Sequence, residues 1–287
     1  MKENLFPNLE QMLAPQSPPL VTPPQRVWRG GHAERQSFQD YRRSRPARQT
    51  AGRHAIYLSR VGEFSAAQAA VVTATAEYLA VFFDLPVRSG TDFNPTSFQP
   101  WAIRQHPLRR HPQLLTDYLI DEVLWLDRPD DAVMCLAVTA WDLCSDEHPG
   151  GQWGSVFGEA RFGHAGVWSL RYLGDASVSD TAFRRCLKRS CAVATHEGLH
   201  VLGLDHCEGV PCNMRGSACL SGPLHLCPPC LRKLCWNRQV DLLPYLQRLR
   251  DCLGRWAFAE AAERYDTMIH WLASCLGRRS QSRSSVS

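Results

Sequence analysis

Residues 196–206 read HEGLHVLGLDH, and the spacing of these histidines dictates local structure ahead of anything else in the chain. His196 and His200 are four residues apart, so on an α-helix they stand one turn apart on the same face and both imidazoles can reach one metal ion. Glu197 then lies beside the position that such a site leaves open for water. Gly203 permits the left-handed backbone turn that ends a helix, after which the chain doubles back and returns His206 as a third ligand. Two histidines on a helix can be plain surface or core residues, but helix propensity provides no reason for Gly203 and His206 to sit where they do. His196, His200 and His206 are therefore read as ligands of a catalytic zinc, with Glu197 as the general base.

A second set of ligand-type residues follows at once. Cys207 and Cys212, then Cys227 and Cys230, form CxxxxC and CxxC separated by fourteen residues, a spacing suited to a closed four-cysteine zinc site. His206 and Cys207 are adjacent, so neighbouring side chains would serve different ions. The competing readings are a redox-active CxxC or unligated thiols. Thioredoxin-like motifs open a helix after a strand, whereas this CPPC sits in a Pro- and Leu-rich stretch.

Met214 lies eight residues beyond His206, and alone it reads as an ordinary core methionine. Together, HEGLHVLGLDHCEGVPCNM and the later CPPC resemble the archaemetzincins, zinc peptidases marked by HExxHxxGxxxCxxxxCxM and a following CxxC. The resemblance covers roughly residues 51–234. It implies that Met214 forms an apolar floor beneath the three histidines, for which a polarizable thioether is suited. It also implies aminopeptidase activity. One departure is the spacer from Met214 to Cys227, twelve residues where the family pattern has about seventeen, a difference of small closure entropy when both ends are held.

Residues 1–53 are rich in Pro, Arg, Gln and Ser without a sustained period, which predicts a largely unstructured lead-in, with LFPNLEQML as a candidate docking helix. They carry nine Lys and Arg against four acids, and the tail 277–287 carries three Arg. The net charge of +4 therefore belongs to the ends, and the middle, residues 54–276, is acidic. That disfavours nucleic acid as a partner of the folded part and marks 277–287 as a disordered basic tail. No uncharged run approaches the roughly twenty apolar residues of a membrane span. The first residues lack the apolar core of a secretory signal, so an intracellular location, cytoplasmic or nuclear, is expected. In that setting twelve cysteines are better read as metal ligands and buried thiols than as six disulfides. Cys135, Cys144, Cys186, Cys191, Cys219, Cys235, Cys252 and Cys275 are taken as small core residues.

The first ordered element is expected to be the strand HAIYLSRV, followed by a helix over about 65–83 whose apolar residues recur at three and four. A Pro-rich loop spans 90–112, and 117–126 reads as helix. Strands are expected within 133–144, 153–162 and 167–173. The metal-binding helix runs from about Asp180, capped by Ser179, to Leu202, burying Phe183, Leu187, Ala194 and Leu202. Two helices, 241–253 and 256–276, close the chain, the last with Phe258, Ala262, Tyr265, Ile269, Leu272 and Leu276 on one face. The order implies an α+β fold. The resemblance to archaemetzincins implies a metzincin-like twisted mixed sheet with a backing helix, an active-site helix, a four-cysteine zinc loop and a helical C-terminal part, residues 235–276.

These readings converge on a zinc metallopeptidase with two zincs per chain, one catalytic and one structural, acting on a peptide or protein. Residues 156–162 are the candidate edge strand for substrate. Glu159 within it is either a recognition group for a substrate amine or a solvated strand residue. The alternative function is a non-catalytic zinc-binding interaction protein. Oligomeric state is not readable from the chain.

Overall fold

The computed structural model describes residues 36–146, 154–208, 211–216 and 222–284, with side chains of the last helix given as far as residue 274. A short helix, Phe38–Arg43 (α1), leads into the strand Ala55–Val61 (β1). The helix Ala66–Phe83 (α2) starts at Ser65, whose hydroxyl accepts from the Gln68 N–H while the Gln68 side chain returns to the Ser65 N–H, a complete capping box. Then come the strands Val87–Ser89 (β2), Ile103–Gln105 (β3) and Pro112–Leu115 (β4) and a π-helical segment Tyr118–Leu124. Ala132–Thr139 (β5), Asp142–Cys144 (β6), Gly158–Ala160 (β7) and Ala165–Ser169 (β8) follow. Asp180–Val201 (α3), Pro228–Arg238 (α4), Leu242–Arg255 (α5) and Ala259–Ser284 (α6) complete the order.

The main sheet has the order β2-β1-β5-β8-β7 and is mixed: all neighbours are parallel except β7, which runs antiparallel to β8 at the edge. Every residue of β5 is buried, as befits a central strand covered on both faces. Met134, Leu136 and Val138 join Trp168 and the helices in one core. Ala132, Cys135 and Ala137 face a second, smaller core with Leu114, Leu119 and Ile120. The alternation of strand side chains thus divides the molecule into a helical layer and a thinner layer made by the π-helical segment and the three-stranded sheet β3-β4-β6.

α2 and α3 pack together against the sheet and are joined by polar contacts as well as apolar ones. Thr75 and Ser190 share a hydrogen bond of 2.9 Å, and the buried indole N–H of Trp168 donates to Ser190 at 3.1 Å, so one hydroxyl links both helices and β8. Their close approach depends on Gly198, where a Cβ would come within 2.6 Å of the Phe83 ring. α2 is long and apolar enough to cross a membrane by composition alone, yet in this fold it forms part of the core.

Three expectations change. The N-terminal segment is not structureless throughout: residues 36–50 carry α1 and lie against α4, with Tyr41 fully buried. The sequence LFPNLEQML lies outside the described residues. The Pro-rich stretch 90–112 holds β3 and two 3₁₀ turns, and it leads into β4; these short elements acquire their partners from distant residues and so leave no periodic trace. The tail 277–287 is not wholly disordered, since α6 continues to Ser284. The C-terminal helices pack into the core of α2 and α3. Of the face expected for α6, Phe258, Tyr265, Ile269 and Leu272 are buried, Ala262 is half-buried, and the Leu276 side chain lies outside those described.

Candidate metal centre

α3 delivers His196 and His200 as expected, starting from Ser179, whose side chain accepts from the Ala182 N–H. Its end is built by Gly203 at φ +83°, where the Gly203 N–H bonds to the His200 carbonyl and the Leu204 N–H to that of Leu199. This is the paired bonding of a Schellman turn, and it reverses the chain so that His206 returns to the helix. The Nε2 atoms of His196, His200 and His206 converge, 3.1–3.2 Å from one another.

The other ring nitrogens explain why this convergence suits a cation. His196 Nδ1 donates to the Asn213 carbonyl at 2.7 Å, and His200 Nδ1 donates to the Leu204 carbonyl at the same distance. A carbonyl accepts only, so the protons reside on Nδ1 and the Nε2 lone pairs face inward. Burial pushes the His196 imidazole down to about 4 and that of His200 to about 3, so both rings are neutral near pH 7. Inward lone pairs at this separation repel one another unless a positive ion lies between them, and three neutral imidazoles are a usual zinc donor set.

Glu197 is buried and points at the strand β7. A Cβ on Gly158 would come within 2.7 Å of its carboxylate, and Gly166 of β8 leaves space for its stem. Desolvation, aided by the charge of nearby Glu159, raises the Glu197 carboxyl well above the ordinary range. Glu159 is half-buried and accepts a 2.7 Å hydrogen bond from the Thr116 hydroxyl. β7 is an edge strand, as anticipated for this stretch, with Phe157 and Arg161 bonding toward β8. By alternation, the N–H and C=O groups of Gly158 and Ala160 point to the free edge.

Cys207, Cys212, Cys227 and Cys230 come together despite the short spacer, their sulfurs all within 4.8 Å of one another and every residue buried. Cys207 and Cys227 sulfurs are 3.4 Å apart, and the Cys227 N–H donates to the Cys212 sulfur at 3.3 Å. The Cys207 sulfur raises the thiols of Cys212 and Cys230 well above normal; it acts the same way on Cys227, but hydrogen bonding with Cys212 and Cys230 outweighs it and draws that thiol down. Four convergent sulfurs disfavour more than one negative charge among them, and a divalent ion would allow all to ionise. CPPC does open a helix, with Cys227 as the N-cap of α4, so helix position does not separate the metal reading from the redox one. The clustering with Cys207 and Cys212 does favour metal. Cys135, Cys144, Cys186, Cys191, Cys235 and Cys252 are buried and free; the side chains of Cys219 and Cys275 lie outside those described.

Met214 is fully buried in the main core, and its carbonyl accepts from the Cys207 N–H at 2.7 Å. The loop around it holds partners that motif reading missed. Asn213 fixes the His196 tautomer through its carbonyl and bonds Thr195 through its side chain at 2.6 Å, while Gly216 lies against the His206 ring. Only the sequence proximity of CNMRG to Met214 could have drawn attention to them.

The chain matches no protein-family model. It is 34% identical over 139 residues to archaemetzincin-2 of Pongo abelii, covering 37% of this chain and 37% of that protein. To archaemetzincin-1 of Homo sapiens it is 30% identical over 188 residues, 53% of this chain and 37% of the human protein. The chain thus spans about 37% of the length of these curated relatives. Among solved structures, an archaemetzincin of Methanopyrus kandleri matches with a TM-score of 0.51 and 22% identity, over 66% of this chain and 98% of that one, which places the fold.

Proposed function

The chain is a relative of the archaemetzincins, and from that premise we propose that it is a zinc-dependent metallopeptidase. The observation that carries this reading is the convergence of three imidazole Nε2 atoms, those of His196 and His200 on neutral rings, beside the buried side chain of Glu197. His196, His200 and His206 would hold the ion. Zinc, when bound, supplies a Lewis acid that polarises the scissile carbonyl and acidifies water. Glu197 takes the proton of the attacking water and delivers it to the departing amine, a transfer for which a carboxyl raised by burial is suited. Gly158 and Ala160 offer outward backbone groups on which an extended peptide adds as a strand, with Gly158 allowing close approach to Glu197. Cys207, Cys212, Cys227 and Cys230 would hold a second, structural zinc.

The direct test is metal stoichiometry. Two zincs per purified chain are expected, falling to one in His200→Ala with peptide hydrolysis lost. A wild-type chain whose zinc content is unaffected by His200→Ala would remove the metallopeptidase assignment.

The finer reading is aminopeptidase action, with Glu159 receiving the substrate's free α-amine. In its support, Glu159 lies on the edge strand near enough to Glu197 to act on its charge, and among the described residues no Lys, Arg or His pairs with it. Glu159→Gln is expected to raise KM for peptides with a free N-terminus by about tenfold, the scale of one charged contact, while N-acetylated peptides are unaffected. Equal losses on both substrates would assign Glu159 a structural role.

A further inference from the structure

The turn that returns His206 is held from the far end of the chain. Helix C-termini leave carbonyls without intrahelical donors, and burial of such groups requires partners from elsewhere. At the end of α3 these partners come from residues 36–41. The Tyr41 hydroxyl donates to the Leu202 carbonyl at 3.0 Å, and the Gln36 side-chain amide donates to the Gly203 carbonyl at 3.0 Å. The Gln36 carbonyl oxygen also lies 3.4 Å from the Asp205 N–H, so one amide brackets the turn from both sides. Pro46 packs 3.3 Å from where a Cβ on Gly203 would stand.

The same two residues hold α4, the helix that opens at Cys227. Lys233, one turn beyond Cys230, is only 4% exposed, and its ammonium donates to the backbone and side-chain oxygens of Gln36 at 2.7 and 3.0 Å. Asn237, four residues further on, donates to the Tyr41 hydroxyl at 2.8 Å and to the Ala47 carbonyl at 2.9 Å. Trp236 sits between the rings of Phe38 and Tyr41 and under the Arg48 guanidinium. Two polar bridges result: Lys233 to Gln36 to the Gly203 turn, and Asn237 to Tyr41 to the end of α3. Each runs from the helix of one ligand cluster to the turn that sets a ligand of the other.

We propose that residues 36–49 form a positioning strap for the candidate catalytic metal centre, with Gln36 and Tyr41 holding the 202–205 turn, and through it His206, in register with α4. The inference rests on the metal reading above. His206 is the ligand most in need of such help, since it is exposed and comes from a stretch without regular structure, whereas His196 and His200 are fixed by α3. Removing the Gln36 side chain takes one of its two acceptors from the buried Lys233 and leaves the Gly203 carbonyl without this donor. The other ligand cluster is affected less, because Cys207 and Cys227 are fixed by their own backbone bonds to Met214 and to the Cys212 sulfur.

The test is release of zinc from the full-length chain to a chromophoric chelator, with the two phases assigned by His200→Ala and Cys230→Ser. Gln36→Ala should weaken retention at the histidine centre by about tenfold, the scale seen when partners supporting a ligand are removed, and leave the cysteine phase unchanged. Tyr41→Phe keeps the ring packing and should act in the same direction, so the outcome does not depend on Gln36→Ala folding. Metal-free melting midpoints are recorded alongside. An unchanged histidine phase in both variants would overturn the proposal. So would a shift of both phases in proportion to a lower metal-free midpoint, which would mean general loosening. If His200→Ala removes no zinc phase from the wild-type pattern, the metal reading itself fails and the strap proposal falls with it, an outcome distinct from the first two.

Discussion

Replacing Glu197 by Gln is expected to leave fold and zinc content intact while lowering peptide hydrolysis by about 10²- to 10⁴-fold, the contribution of one positioned acid–base group. The physical basis is specific to this site. Glu197 is buried against two glycines, Gly158 and Gly166, so a side chain of the same shape fits the space without adjustment. A neutral amide of that shape places no charge in this buried position, so stability should be equal or slightly higher. What the amide cannot do is accept and return a proton. Zinc analysis, a melting curve and hydrolysis of a peptide pool on the same preparation separate these effects. Undiminished hydrolysis at full zinc occupancy would sink the assignment of Glu197 as base. If instead the wild-type chain binds zinc and hydrolyses nothing, the reading as a non-catalytic zinc-binding protein takes over.

Cys230→Ser should have the largest effect on stability. Its sulfur is one of four held within 4.8 Å, and no fifth thiol is part of that cluster among the described residues. Binding of a structural zinc contributes about 10–16 kcal/mol where a small domain depends on it entirely. Here the loop also leans on a large core through Leu224, Leu226 and Leu231, so the expected loss is smaller. A loss of about 3–5 kcal/mol corresponds to a melting midpoint lower by about 10 °C for a domain of this size. One zinc per chain should disappear as well. Because Cys207 follows His206 directly, the histidine centre should also release its metal more readily. Unchanged melting and zinc content would refute the structural site, and a mass lower by two hydrogens in the wild-type chain would instead indicate a Cys227–Cys230 disulfide and the redox reading.

Much of the candidate site is legible along the chain because its parts are local. Ser179 as cap, the four-residue step from His196 to His200, and Gly203 at the reversal are each set by hydrogen bonding within a few residues, and each stands where expected. The same holds for β1, α2 and α5, which lie where the chain's strand-like and helix-like stretches are expected. The strands β3 and β4 escaped notice because they are short and Pro-flanked and are stabilised by pairing with each other and with β6. Asp142 is a similar case. Its buried carboxylate accepts from His111, Gln113, Ser155 and Tyr172, residues spread over the chain that no local pattern connects.

By itself the sequence determined which atoms can bind metal and that two of the three imidazoles share a helix face, since side-chain chemistry and helical pitch require no tertiary contact. It also carried the glycine that lets the chain turn back, because only the absence of a Cβ makes φ +83° inexpensive. Tertiary structure alone decided which ring nitrogen of His196 carries the proton, through the carbonyl of Asn213, and how closely Glu197 approaches the edge strand, through Gly158. It also brought residues 36–49 back across the molecule onto the turn before His206. The reason is common to all three. Convergent lone pairs, a buried carboxyl and orphaned helix carbonyls are each costly to bury alone, and their partners are supplied by whichever segment the packed core places alongside.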